Sequence, residues 1–309
     1  MKIITITLSP AFDLHCFCEN FKPFLENLCE INSYDAGGKG INISRALTVN
    51  GIKNTAYTIL GEENADSFLK ALKSEDINCK YITAKGRIRE NITLHTTSNP
   101  ETRISFSGFS LDKTLFNRFE KLLLQENIND TVVTFTGRIP DGINKVIVKE
   151  FLLKIKDKGA KLVIDSKSFD TSDLIELKPY LIKPNDEEIS LYSNIFVNDL
   201  NSALKAAKEL KILCAENVII SLGDKGAVLC CDDGEFAAVP PKTDVKSTVG
   251  AGDSMIAGFI AALAKQYEYG EALRLSVAFG TAACTTIGTK PPTSDSIDKL
   301  FENTVLKKV

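Results

Sequence analysis

Four short runs of aliphatic and β-branched residues break off abruptly in a polar residue or glycine. They are TVVTFTG at 131–137, KLVIDS at 161–166, YLIKPN at 180–185 and VIISLG at 218–223. Each is apolar with little alternation, the pattern of a parallel strand covered on both faces. Stretches with helical spacing, 143–158 and 201–211, lie between them. This alternation predicts a doubly wound, mostly parallel α/β sheet. Ligands of such sheets bind beyond the carboxyl ends of the strands. That rule makes Thr136, Asp165, Asn185 and Ser221 site candidates by position alone.

The 309 residues suit one large α/β domain or two modest ones, and no linker or internal repeat divides them. We read residues 1–309 as one domain. Two segments, about 12–36 and 86–109, lack a helical pattern. The second alternates at Ile92, Leu94 and Thr96 and again at Ile104 and Phe106, around a turn-like Ser98-Asn99-Pro100. Together they predict a small antiparallel sheet, either a lid over the site or a plain edge extension. A net charge of −3 argues against a protein that coats nucleic acid. No apolar run approaches a membrane span, and MKIITITLSPAFD reads as a first strand rather than a leader. The eight cysteines contain no CxxC pair and read as reduced, mostly buried thiols, so a cytoplasmic protein is expected. His15 and His95 are too few and too scattered for a metal site and read as surface or packing residues.

Chemistry concentrates in TVGAGDSMIAGF at 248–259. Gly250, Ala251 and Gly252 precede Asp253, and a helical run is expected from Ser254. Glycines before a helix let backbone amides converge on an anion. A carboxylate there repels an anion but is well placed to take a proton from a hydroxyl attacking a phosphoryl group. A second motif, Gly37-Gly38-Lys39-Gly40, opens another helical run with Asn42 in its first turn. A tight turn explains it as well as close backbone approach to a ligand. Neither motif is a Walker A loop, and GAGDSM lacks the GxGxxG dinucleotide spacing. Asp13, after Ser-Pro, is either a solvated turn residue or a carboxylate accepting sugar hydroxyls. In KPNDEE, Asn185 and Glu188 are three apart, so they either cap a helix or hold waters of Mg²⁺. SLGDKGA at 221–227 is a hairpin or a nucleotide-cradling turn.

In this order the motifs resemble the ribokinase-like, or phosphofructokinase B, family of sugar kinases, over residues 3 to about 290. The resemblance implies a Rossmann-like core with a small β lid that often mediates dimers. It implies Asp253 as general base and Gly250–Gly252 as the anion hole for the transferred phosphoryl group. It places Asp13, Gly37, Gly38, Lys39 and Asn42 on the sugar. It places Asn185 and Glu188 at Mg²⁺, and Ser221, Gly223 and Gly226 with Asn185 at ATP. Some members use a monovalent cation, but no cation loop is matched here. The opening ITITLSPAFD, GRIRENITL at 86–94 and FSGF at 106–109 are similar to the 1-phosphofructokinase branch. That branch phosphorylates fructose 1-phosphate and implies Arg89, with Lys39, as substrate-phosphate ligands. A tagatose-6-phosphate kinase, or a relaxed ketose-phosphate kinase, is the near alternative. The branch usually reads SGSLP where this chain reads TGRIP at 136–140, so Arg138 either adds a phosphate contact or points to solvent. A sensor that has lost catalysis is disfavoured because Gly250, Gly252 and Asp253 are all present.

Overall fold

The computed structural model describes residues 1–97, 101–286 and 288–308; the Ser98-Asn99-Pro100 turn lies outside them. In chain order the strands are β1 (Lys2–Thr7), β2 (Ala11–Phe17), β3 (Glu30–Gly37), β4 (Thr55–Gly61), β5 (Cys79–Ala84), β6 (Arg89–His95) and β7 (Thr102–Ser105). They continue with β8 (Thr131–Thr136), β9 (Lys161–Asp165), β10 (Leu181–Ile182), β11 (Asn217–Ser221), β12 (Ala227–Cys231), β13 (Gly234–Val239) and β14 (Val305–Lys308). The helices are α1 (Lys39–Val49), α2 (Ala65–Ser74), α3 (Lys113–Leu124), α4 (Lys145–Asp157), α5 (Thr171–Leu177), α6 (Leu200–Leu213), α7 (Ala251–Ala264), α8 (Tyr269–Cys284) and α9 (Ser294–Asn303).

Ten strands form one sheet in the order β14-β13-β12-β11-β10-β9-β8-β1-β4-β5. Pairing is parallel from β11 through β5 and antiparallel from β11 out to β14. The expected doubly wound sheet is therefore present. The apolar runs lack alternation because both faces are covered. Ile4, Ile6, Val133, Phe135 and Ile164 pack in one core with Phe116, Phe119 and Phe151. Ile3, Val132 and Val163 point the other way, into a core with Ile256, Phe259 and Phe279. Successive residues of a strand face opposite sides, so each run must be apolar throughout. The run expected at 180–185 shrinks to the two residues of β10, because Pro184 lacks the amide a ladder needs. The chain leaves β1 toward β4 and β5 on one side and is continued by β8, β9 and β10 on the other. β1 and β8 thus flank the topological switch where such sheets bind ligands.

A second sheet has the order β3-β2-β6-β7. β2 pairs antiparallel with β3 and parallel with β6, so this sheet is mixed rather than purely antiparallel. β7 is exposed along its whole length, and Thr96 and Phe106 fall outside the strands, so the expected alternation does not sort two faces there. The sheet grows from the main one at two points. Ser9 and Pro10 turn β1 into β2, and Gly37 at the end of β3 leads into α1.

Candidate active site

Asp253 does not precede its helix. α7 begins at Ala251, with Gly250 as its cap, so the helix starts three residues before the expected Ser254. Gly250 has φ of +76°, a left-handed conformation that admits glycine at little cost. The amides of Ala251, Gly252 and Asp253 therefore lie in the first turn, where amide groups have no intrahelical acceptor. Gly252 keeps the approach open: a Cβ there would lie 3.2 Å from Lys183 Nζ. Asp253 is 6% exposed and accepts a 2.9 Å hydrogen bond on Oδ2 from Asn42 Nδ2. Burial raises its carboxyl to about 6. Lys39 pulls it down, the Asp165 charge pushes it up, and Asn42 and Lys183 pull it down again. A base poised near neutrality is suited to general-base catalysis.

Lys39 opens α1 and its Nζ donates to Asp165 Oδ2 at 3.0 Å. Burial works against its charge, but the carboxylates of Asp165 and Asp253 hold its pKa above the ordinary lysine range. Asp165, at the carboxyl end of β9, is buried. Its carboxyl is nonetheless held below the usual value, because Lys183 and Lys39 outweigh the burial. Asn42 is fixed from behind: Arg45, one turn on, donates from Nη1 to Asn42 Oδ1 at 3.0 Å and from Nε to Glu75 Oε2 at 2.7 Å. Arg45 is 3% exposed and also donates to the Ala36 carbonyl. The main-sheet half of the site is thus Asp253, Asn42, Lys39, Asp165 and Lys183.

Lys183 and Arg45 were absent from the residues singled out in the sequence. Lys183 had a legible signal, a cation at a strand's carboxyl end just before Pro184. Arg45 had none beyond its three-residue spacing from Asn42.

Asp13 is not on a loop. It lies in β2, opposite Asp35 of β3 and beside Asn91 of β6. Asn91 Nδ2 donates to Asp13 Oδ1 at 2.8 Å, and burial raises the carboxyl. A side chain at Gly37 would collide with the Asp13 carboxylate, and Gly38, with φ of +113°, caps α1. These glycines are needed because β3 enters α1 directly against Asp13 and the start of β2. Arg89 begins β6 in register with Ala11. Its Nη1 donates to Asn91 Oδ1 at 3.3 Å, while its Nε is buried without a hydrogen-bond partner. Burial lowers the pKa of Arg89, and the nearby charge of Arg138 lowers it further. Arg138 is exposed in the turn after β8. The two guanidinium groups thus lie within electrostatic reach of each other, and neither is in an ion pair among the described residues.

Asn185 and Ser221 are brought side by side by a parallel bridge between their backbones. Asn185 Oδ1 accepts from the Glu188 amide at 2.7 Å, and Glu188 Oε2 accepts from the Asn185 amide at 3.3 Å. The capping arrangement is therefore realised, around a short 3₁₀ turn at Glu188–Leu191. It leaves Glu188 Oε1 facing Lys167 at 3.4 Å and free lone pairs on both residues. Mg²⁺ keeps most of its waters and takes few protein ligands, so this pair is compatible with a water-bridged ion. Among the described residues no group of three acids, histidines or cysteines could hold a metal alone. Gly223 and Gly226, with φ of +58° and +100°, shape the turn between β11 and the antiparallel β12. That turn is a hairpin, tied to Asn185 through the Asn185–Ser221 bridge. His15 and His95, far apart in sequence, meet in the small sheet with Nδ1 of one 3.1 Å from Nε2 of the other. They are not scattered, but they are only two.

Residues 4–296 match the family described as pfkB family carbohydrate kinase. A 1-phosphofructokinase of Escherichia coli (strain K12) is 31% identical over 282 residues, covering 91% of this chain and 90% of that protein. The ATP-dependent 6-phosphofructokinase isozyme 2 of the same organism is 27% identical over 304 residues, covering 97% and 98%. The crystal structure of phosphofructokinase-2 from Escherichia coli in complex with substrates and products superposes with a TM-score of 0.91 at 27% identity, over 98% of this chain and 99% of that one. A glycine-led helix, a buried carboxylate in its first turn and facing cations are thus set in a fold shared with these kinases, and the chain belongs to the pfkB family of carbohydrate kinases.

Proposed function

We propose that this kinase transfers the terminal phosphoryl group of ATP to the free primary hydroxyl of fructose 1-phosphate, giving fructose 1,6-bisphosphate. The observation that carries the reading is the division of charge in the cleft. A buried carboxyl, Asp253, sits among cations at one side, and Arg89, with Arg138 in electrostatic reach of it, acts on Asp13 at the other. An acceptor that already bears a phosphate is held by the arginines, since a buried dianion needs paired cations. Asp13 and Asn42 accept and orient its hydroxyls. Asp253 takes the proton of the attacking hydroxyl as the phosphorus–oxygen bond forms and the bond to ADP breaks. The amides of residues 250–252 and Lys183 stabilise charge on the moving group. Asn185 and Glu188 would hold Mg²⁺ through water, where the ion would supply charge neutralisation of the nucleotide phosphates. Ser221, Gly223 and Gly226 line the nucleotide.

The small sheet serves in this reading as a lid that excludes water on closure. Its exposed Phe24, Leu25, Leu28, Ile31 and Ile104 suit contact with a second copy of the chain. The competing acceptor is a ketose 6-phosphate, favoured by the longer match to the 6-phosphofructokinase isozyme. Measuring kcat/KM for fructose 1-phosphate, fructose 6-phosphate and tagatose 6-phosphate decides between them. Fructose 1-phosphate is expected to be the best acceptor, and any other ranking refutes the assignment.

A further inference from the structure

We propose that Cys18 and Cys29 form a thiol–disulfide modification site at the end of the small sheet. The antiparallel ladder between β2 and β3 ends with Phe17 opposite Glu30. Continued by one rung beyond the last paired residues, that register would set Cys18 opposite Cys29. Cys18 remains within the sheet, because its amide donates to the His95 carbonyl of β6 at 2.9 Å. Directly opposed residues of an antiparallel pair have Cα atoms about 4.5–5.5 Å apart. A disulfide accepts about 4.4–6.8 Å, so a Cys18–Cys29 rung in that register would fit one.

The side chains agree with the register. Burial and the neighbouring Cys18 thiol push the Cys29 thiol above its ordinary value. Both also lie on Asn27, with Cys18 Sγ 4.0 Å from its Oδ1 and Cys29 Sγ 3.8 Å from its backbone oxygen. Asn27 holds the intervening loop in shape: its Oδ1 accepts from the Lys22 amide, and its Nδ2 donates to the carbonyls of Lys22 and Leu25, each at 2.8 Å. The remaining cysteines do not share this geometry. Cys16 lies opposite Ile31 in the same ladder. Cys29 is exposed and Cys18 buried, which assigns their order of reaction.

The oxidant is a low-molecular-weight disulfide. The Cys29 thiolate attacks one sulfur of it, forming a mixed disulfide and releasing one small thiol. The Cys18 thiolate then attacks the Cys29 sulfur and expels the second small thiol. Two protein thiols lose two electrons and two protons, and the small disulfide gains both. The new bond closes the loop of residues 19–28, which carries the exposed Phe21, Phe24, Leu25 and Leu28. Reduction reopens it.

The test treats the full-length, ligand-free protein with glutathione disulfide and then titrates thiols in denaturant. The eight cysteines are expected to fall to six, with recovery on adding dithiothreitol. Unreduced peptide mapping is expected to find Cys18 joined to Cys29, and hydrogen exchange of residues 19–28 to slow. The Cys29→Ser variant, altered at an exposed position, is expected to keep all seven of its thiols. The Cys18→Ser variant is expected to stop at a stable glutathione adduct on Cys29. A wild-type protein that stops at that adduct, or that joins Cys29 to Cys16 or to a second molecule, overturns the proposal.

Discussion

Replacing Asp253 by Asn should abolish most activity and at the same time make the folded protein more stable. The carboxyl is buried, and its pKa rises from 3.8 to about 6 in the fold. A raised carboxyl pKa means that the folded state prefers the neutral form. The stability that form provides is complete below about pH 4 and is lost as pH rises through about 6. The shift is about two units at about 1.4 kcal/mol each, so at pH 7 the ionised carboxylate costs the fold about 3 kcal/mol. Asn has the same shape, still accepts from Asn42 Nδ2, and never ionises. The Asp253→Asn variant should therefore be more stable by about 3 kcal/mol at pH 7, with the difference closing to nothing near pH 4. Its kcat should fall by about 10²–10⁴, the scale of a lost general base. Urea unfolding of the ligand-free proteins at the two pH values, with kcat at pH 7, measures all of this. An equal gain at both pH values, or none at pH 7, would show that the carboxylate is not strained by burial. Near wild-type turnover would remove it from the base role.

The same titration should appear in catalysis. kcat/KM should fall about tenfold per pH unit below about pH 6, and Lys39→Met should move that limb to higher pH, since Lys39 holds the Asp253 pKa down. A limb unmoved by Lys39→Met would sever that coupling. Arg89→Ala should raise KM for the sugar phosphate about 10–100-fold, the worth of a charge-assisted contact, and leave KM for ATP near its original value; equal losses for both substrates would place Arg89 outside the acceptor site. Gly40→Ala should lower stability by about 1–3 kcal/mol, read as a drop in Tm. Its new Cβ would meet the Ile6 backbone oxygen at 2.9 Å and push α1 off β1; an unchanged Tm would mean α1 can shift freely.

Much of the core was legible because its physics is local. A strand buried on both faces must be apolar at every position, so β8, β9 and β11 announced themselves at 131–137, 161–166 and 218–223. The conformational demands on Gly38 and Gly250 were legible too, since few other residues adopt positive φ at a helix cap. The start of α7 was misplaced by three residues, because glycine has low helix propensity and the packing of α7 on α1 and α8 overrides it. The turn reading of Asp13 gives way because the partners that make β2 a strand are Asp35, in another segment, and Asn91, far along the chain. His15 and His95 were read as scattered for the same reason.

The sequence by itself determined the mostly parallel sheet, the two glycine-led motifs and the presence of one carboxylate and one cation at them. Those features depend on backbone conformation and on strand periodicity, which neighbouring residues set. Only the tertiary structure decided what those groups are chemically. The Asp253 carboxyl is raised to about 6 by burial and tuned by Asn42 and Lys39 of α1, Asp165 of β9 and Lys183 after β10, drawn from three segments. Arg89 of β6 and Arg138 after β8, distant in sequence, come within electrostatic reach of each other only in the fold. Electrostatic energies depend on distance and burial, and neither is written in the order of residues along a chain.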